Sequence, residues 1–179
     1  MSANAPWRLF FALWPTPEIA ALLNAWSRTA QVECGGRVTL PANIHLTLAF
    51  LGDVSPGRAK RLAECARRAG GAAHTIALDE ARYWKHNRVV WAGPRVIPPA
   101  LSTLAESLNR ELVAADFPTE AREFNSHVTL IRQARLPRTL PGLPTIAWQV
   151  NELVLVRTQL SSTGSSYSVM EQFPLARAG

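Results

Sequence analysis

Cysteine is scarce: the 179 residues hold two, Cys34 and Cys65, with no CxxC spacing and no metal-ligand neighbours. That argues against a disulfide scaffold and a cysteine-based metal site, and fits free thiols in a reducing compartment, the cytoplasm. Long apolar runs are also missing. The stretch near the start, Leu9 to Trp14, is six residues long. It is too short to span a membrane, and with no basic flank or small-residue cleavage site it does not read as a signal peptide. Acidic residues are the minority charge, 13 against 19 Lys and Arg, which gives a net charge of +6 and a pI of about 10.3. The excess favours a polyanionic partner, nucleic acid ahead of an acidic membrane surface. Much of it is arginine scattered along the chain. The densest basic stretch, "GRAKRLAECARR" at 57–68, reads as a solvated helix face rather than an RNA contact. Histidine is rare as well, at four residues.

A hydrophobic fraction of 47% is enough for a buried core and argues against disorder. "WRLFFALWP" (7–15) reads as a strand buried on both faces. A helix follows, with Thr16 as cap, Pro17 at its first position and an apolar stripe of Ile19, Leu22, Leu23 and Trp26. "NIHLTLAFLG" is a strand stopped by Gly52-Asp53, and a second helix runs from about Ser55 to Gly70-Gly71. Residues 74–94 suggest two strands joined by a turn at His86-Asn87. A third helix (98–117) sets Leu101, Leu104, Leu108 and Leu112 on one face. Residues 122–132 form a strand. A Pro-rich connection (136–144) leads to one or two strands over 146–160 and a last one in the tail. No linker divides the chain, so residues 1–179 are expected to form a single domain. The order suits a mixed antiparallel α+β fold rather than parallel βαβ repetition, and a helix followed by a histidine-bearing strand occurs twice, as in a duplicated lobe.

Two of the four histidines sit in matching tetrapeptides: His45-Leu46-Thr47-Leu48 and His127-Val128-Thr129-Leu130. An apolar strand needs neither the histidine nor the threonine. Residues i and i+2 on a strand share a face, ~6.6 Å apart at ~3.3 Å per residue. His45 and Thr47 therefore point one way and Ile44, Leu46, Leu48 and Phe50 the other, toward the core; Val128 and Leu130 lie opposite His127 and Thr129. If the two strands are neighbours, two imidazoles and two hydroxyls line one cleft. Such a cleft suits a phosphodiester. One neutral imidazole can take a proton from water, an imidazolium can give one to the leaving oxygen, and the hydroxyls can donate to phosphate oxygens. Two histidines without a carboxylate make a poor metal site, so no metal or other cofactor is expected. His74 and His86 lack this context and read as surface or turn residues, while Phe50, Tyr83 and Trp84 read as packing rather than base-stacking residues.

The paired motifs resemble those of the 2H phosphoesterase superfamily, and within it the RNA 2′,3′-cyclic phosphodiesterase family, also called 2′–5′ RNA ligases. "RLFFALWP", "HLTLAFLGDV", "RVVWAGP", "SHVTLIR" and "LVLVRTQLSSTGSSY" follow one another in that family's usual order. The resemblance implies a bilobal α+β fold with pseudo-two-fold symmetry, antiparallel sheets and flanking helices around a central groove. It implies metal-independent hydrolysis of an RNA terminal 2′,3′-cyclic phosphate to a 2′-phosphate, with reverse 2′–5′ ligation of RNA ends as the same step run backwards. It makes His45 the proton donor, His127 the proton acceptor, and Thr47 and Thr129 the phosphate holders. Arg132 is a substrate contact in this reading, although its odd offset from His127 puts it on the wrong face of an ideal strand. The partner implied is RNA with a cyclic phosphate end, or a related nucleotide, and a monomer away from membranes is expected. The motifs read only the phosphate. A cyclic nucleotide, a cyclic ADP-ribose phosphate or a 2′–5′ oligonucleotide would suit them equally, and a non-catalytic RNA-end binder and a metal-dependent hydrolase are the rivals from other classes.

Overall fold

The computed structural model describes residues 5–119, 124–161 and 164–177. Among these, ten strands and three α-helices follow in order: β1 (Trp7–Leu13), α1 (Pro17–Cys34), β2 (Arg37–Val38), β3 (Leu46–Val54), α2 (Pro56–Ala69), β4 (His74–Leu78), β5 (Glu80–Trp84), β6 (Val89–Gly93), α3 (Pro99–Ala114), β7 (Val128–Arg132), β8 (Ile146–Val150), β9 (Glu152–Ser161) and β10 (Gly164–Pro174). One large sheet runs β10-β9-β1-β3-β7-β6-β5, with β2 added on β7, and β4 pairs β8 in a small second sheet. Each of these strand pairs is antiparallel, as the α+β reading expects. Residues 74–94 hold three strands rather than two, because β4 leaves to pair with β8.

The centre of the sheet is the most apolar part of the chain. β1 lies between β9 and β3, and Leu9 through Leu13 are all buried. One face of the sheet meets the helices in the main core: Leu23, Leu62, Leu101, Leu104, Leu108 and Leu112 are fully buried there. The other face carries a small cluster of Phe10, Ala12, Val154 and Val156, with Trp14 and Tyr167 packed on it.

One expected apolar position and one expected strand end fall elsewhere. The buried stripe of α1 runs Ala20, Leu23, Trp26, Ala30 and Cys34, which leaves Leu22 off that face and 56% exposed. β3 is not stopped at Gly52-Asp53 but continues to Val54, because Gly52 takes φ +64° beside a break in the register with β1. α2 matches the expected basic helix, and its arginines are spent within the fold. Arg58 and Arg61 donate to the carbonyls of Asp116 and Ala115, 2.6 and 3.0 Å away, at the C-terminus of α3. Arg67 pairs with Glu171, and Arg68 with Glu111 at 2.7 Å. The bonds from Arg58 and Arg61 complement the negative end of α3. Among the described residues no helix is long and apolar enough to cross a membrane.

Candidate active site

β3 and β7 touch at one register point, Leu46 opposite Val128. In an antiparallel pair this places His45 across from Thr129 and Thr47 across from His127, all on the face opposite the buried Leu46 and Val128. The four side chains form a quadrilateral, histidine facing threonine twice, with the imidazoles on a diagonal of ~7–8 Å. All four line one cavity of about 580 Å³. Neither threonine hydroxyl has a hydrogen-bond partner among the described residues, so both are available to a ligand.

Each histidine lies one residue before its strand rather than within it, as the sequence suggested. Residues 122 and 123 of the expected second strand lie outside the described residues. Leaving the ladder frees the backbone to bend and reach the ring. His45 Nδ1 is 2.8 Å from the carbonyl oxygen of Asn43, and His127 Nδ1 is 2.9 Å from that of Asn125. A carbonyl only accepts, so both Nδ1 atoms carry the proton, which makes Nε2 the basic nitrogen of each ring. The repeat therefore extends upstream to Asn43 and Asn125, which stand two residues before each histidine. That signal was available in the sequence.

The histidines differ in their surroundings. His45 is boxed by aromatic rings: Trp14 stacks on it at 5.0 Å and 9°, Phe10 lies tilted at 5.0 Å, and Tyr167 meets it edge-on at 5.1 Å. Burial in this box pushes its pKa down to about 4; the Asn43 bond opposes that, and the charges of Arg132 and His127 add to the depression. His127 meets Trp84 edge-on at 4.6 Å and Trp91 at 6.4 Å. Sequence reasoning missed Trp14 and Tyr167. The signal for Trp14 is its register: β1 pairs Leu13 with Leu46, so the next residue stands against His45.

The fourth residue of each motif is a bulge. On β7, Thr129 and Ile131 face consecutive residues of β6, Trp91 and Val90, which leaves Leu130 as an extra residue. On β3, Thr47 and Ala49 face Ala12 and Phe11, with Leu48 unmatched. A bulge reverses the alternation beyond it. Leu130 and Ile131 are both fully buried, and Arg132 returns to the open side and lines the cavity. The face problem of Arg132 is solved by one unmatched residue. The same shift corrects the expectation for Phe50, which leaves the core side and is 40% exposed, with the Arg8 guanidinium 5.6 Å from its ring. Phe50 and Arg132 hold equivalent positions, five residues after His45 and His127.

Phe50 opens a second cavity, of about 560 Å³, where β3 and β7 diverge. Its lining includes Phe50, Trp84, His86, Phe124 and Glu106, and it meets the first cavity at Thr47, Trp84, Asn87 and His127. The groove thus has an aromatic half carrying Phe50 and a basic half carrying Arg132. Trp84 faces both halves and is no core residue, which corrects the packing expectation. Tyr83 keeps it, packing on the core and donating to the Ala134 carbonyl at 3.3 Å. His86 is an exposed turn residue, as expected, at the rim of the second cavity. His74 is not at the surface. It is buried in β4, with Nδ1 2.8 Å from the Ala72 carbonyl and Nε2 without a partner among the described residues.

Comparison with known proteins bears on the family and the fold. The family model "LigT like Phosphoesterase" matches residues 13–91. The RNA 2′,3′-cyclic phosphodiesterase of Escherichia coli K12 is 34% identical over 97% of this chain and 99% of that protein. That of Thermus thermophilus is 29% identical over 94% of this chain and 90% of its own length. The crystal structure of E. coli LigT complexed with 3′-AMP superposes with a TM-score of 0.88 at 33% identity, covering 95% of this chain and 98% of that one.

Proposed function

The chain belongs to the LigT-like phosphoesterase family, and on that footing we propose that it hydrolyses the terminal 2′,3′-cyclic phosphate of RNA to a 2′-phosphate without a metal. The observation that carries this reading is the quadrilateral of His45, Thr129, Thr47 and His127 fixed by the Leu46–Val128 pair. It puts two proton-transfer groups on opposite sides of a space lined with hydroxyl donors. In-line displacement at phosphorus needs that layout, with one group beside the attacking oxygen and one beside the departing oxygen.

In the reaction, His127 Nε2 takes a proton from water as its oxygen bonds to phosphorus. The bond from phosphorus to O3′ breaks, and O3′ takes a proton from Nε2 of the His45 imidazolium. The product keeps the phosphate on O2′. Thr47, Thr129 and the Arg132 guanidinium donate to the non-bridging oxygens as charge builds on them. His45 is neutral in the free enzyme at neutral pH, so it takes up a proton from solvent as the anionic substrate binds. The anionic phosphate offsets the charge of Arg132 and raises the imidazole pKa. The terminal nucleoside lies in the aromatic half of the groove, its base against Phe50. One chain supplies both histidines, so a monomer suffices.

The test is a short RNA with a 2′,3′-cyclic phosphate end, incubated with the enzyme in excess EDTA. Ring opening to the 2′-phosphate alone supports the proposal. A 3′-phosphate product, or a requirement for added metal, would overturn it.

A further inference from the structure

Arg37 and Arg132 stand directly opposite each other where β2 pairs with β7. Directly opposed residues of an antiparallel pair point to the same face, and like charges placed there repel. Both line the basic cavity, and both are exposed. Among the described residues neither meets a carboxylate within ion-pair distance, and the cavity lining contains no Asp or Glu. The fold therefore holds two guanidinium groups side by side without a counter-charge.

The chain is built to keep them there. Gly36 has φ +81°, and a Cβ on it would lie 2.6 Å from the Arg132 carbonyl oxygen and 2.9 Å from the Ala134 nitrogen. Only glycine lets this loop press so closely on β7. The approach is fastened on both sides: Gln31 Nε2 donates to the Gly36 carbonyl at 2.8 Å, the Thr39 N–H to the Leu130 carbonyl at 2.8 Å, and Asn24 Nδ2 to the Thr39 carbonyl at 3.0 Å. Several bonds and a residue-specific turn thus fix Arg37 in a position that costs electrostatic free energy.

The reacting phosphodiester carries one negative charge, and Arg132 is already placed for it. Arg37 accordingly serves an anion beyond the reacting phosphate. Building on the function proposed above, we propose that Arg37 binds a second phosphate of the RNA backbone, the diester that joins the terminal nucleotide to its neighbour. With the terminal base on Phe50, the two arginines hold successive phosphates of one strand. This site makes the enzyme select RNA chain ends over free mononucleotides, a preference the two histidine motifs cannot generate because they read only the reacting group.

The test compares kcat/KM on a short RNA ending in a 2′,3′-cyclic phosphate with kcat/KM on a mononucleoside 2′,3′-cyclic phosphate, for wild type, Arg37→Ala and Arg37→Lys. The ratio of RNA to mononucleotide should fall about tenfold in Arg37→Ala and be largely restored by Arg37→Lys. The log–log salt dependence of kcat/KM on RNA should flatten by about 0.7, the value of one phosphate contact on a single strand. An unchanged ratio, whether both values hold or both fall together, overturns the second-phosphate site while leaving the proposed function intact. A wild-type enzyme that opens neither substrate overturns the proposed function, and this inference with it.

Discussion

Leu46 and Val128 face each other, both fully buried, at the one register point between β3 and β7. That contact sets the spacing of the four motif side chains. The residues before and after it, His45 and Thr47 on one side and His127 and Thr129 on the other, are turned outward together because these two are turned inward. Replacing either imidazole by alanine should lower kcat by ~10²–10⁴ without disturbing this frame. The double replacement should cost little more than the worse single one, since acid and base act in one transition state. Single-turnover kinetics with thermal melts as a folding control check both points.

The aromatic box of His45 predicts how it titrates. Its folded pKa of about 4 lies below the ordinary 6.5, so the unfolded chain binds the extra proton more readily. This contribution to stability is complete above about pH 6.5 and is lost as pH falls toward 4. Urea midpoints measured across that range should fall with acidity more steeply in wild type than in His45→Gln. Equal slopes would mean that the box does not hold His45 neutral.

Trp14 stacks on His45 and so acts through it. In Trp14→Leu the imidazole pKa should rise toward its ordinary value, read from the ring proton signals by NMR, and kcat should drop about tenfold as the ring loses its orientation. Trp14→Phe should keep most of the rate. A loss confined to KM would make Trp14 a substrate contact instead.

Phe50 and Arg132 are equivalent in position and opposite in chemistry, so their losses should separate. Arg132→Ala should act on the chemical step for every cyclic phosphate, lowering kcat by ~10²–10³. Phe50→Ala should weaken the hold on the base by ~1–3 kcal/mol and appear mainly in KM. Steady-state kinetics on substrates with and without a base distinguish the two.

A methyl group on Gly36 would collide with backbone atoms of β7 and would sit at positive φ. Gly36→Ala should cost ~1–3 kcal/mol of stability, measured by denaturant unfolding. An alanine tolerated at no cost would show that the β2–β7 approach is not fixed by this residue.

The motifs themselves were legible because they combine a rare residue with a repeat and a period of two. The α+β class, the three helices and the strand character of 7–13 were legible from apolar spacing. What escaped is what interrupts the period. The bulges at Leu48 and Leu130 carry no special residue type, yet they decide that Phe50 and Arg132 both face the groove. The partner of a strand is equally invisible in a single stretch, so neither the departure of β4 to β8 nor the meeting of Arg37 with Arg132 could be read. His74 has an ordinary surface-like context and is buried only because β4 is covered. The basic helix α2 reads in sequence as a solvated face, while its arginines close on Glu111, Glu171 and the end of α3.

The division of labour between His45 and His127 is tested most directly by the pH dependence of kcat on a cyclic-phosphate RNA, for wild type and for each single alanine variant. Wild type should give a bell. His127→Ala should lose the rise on the acid side, where a base must shed its proton, and His45→Ala the fall on the alkaline side, where an acid must keep one. An unaltered bell in either variant would contradict the assignment of that histidine to proton transfer.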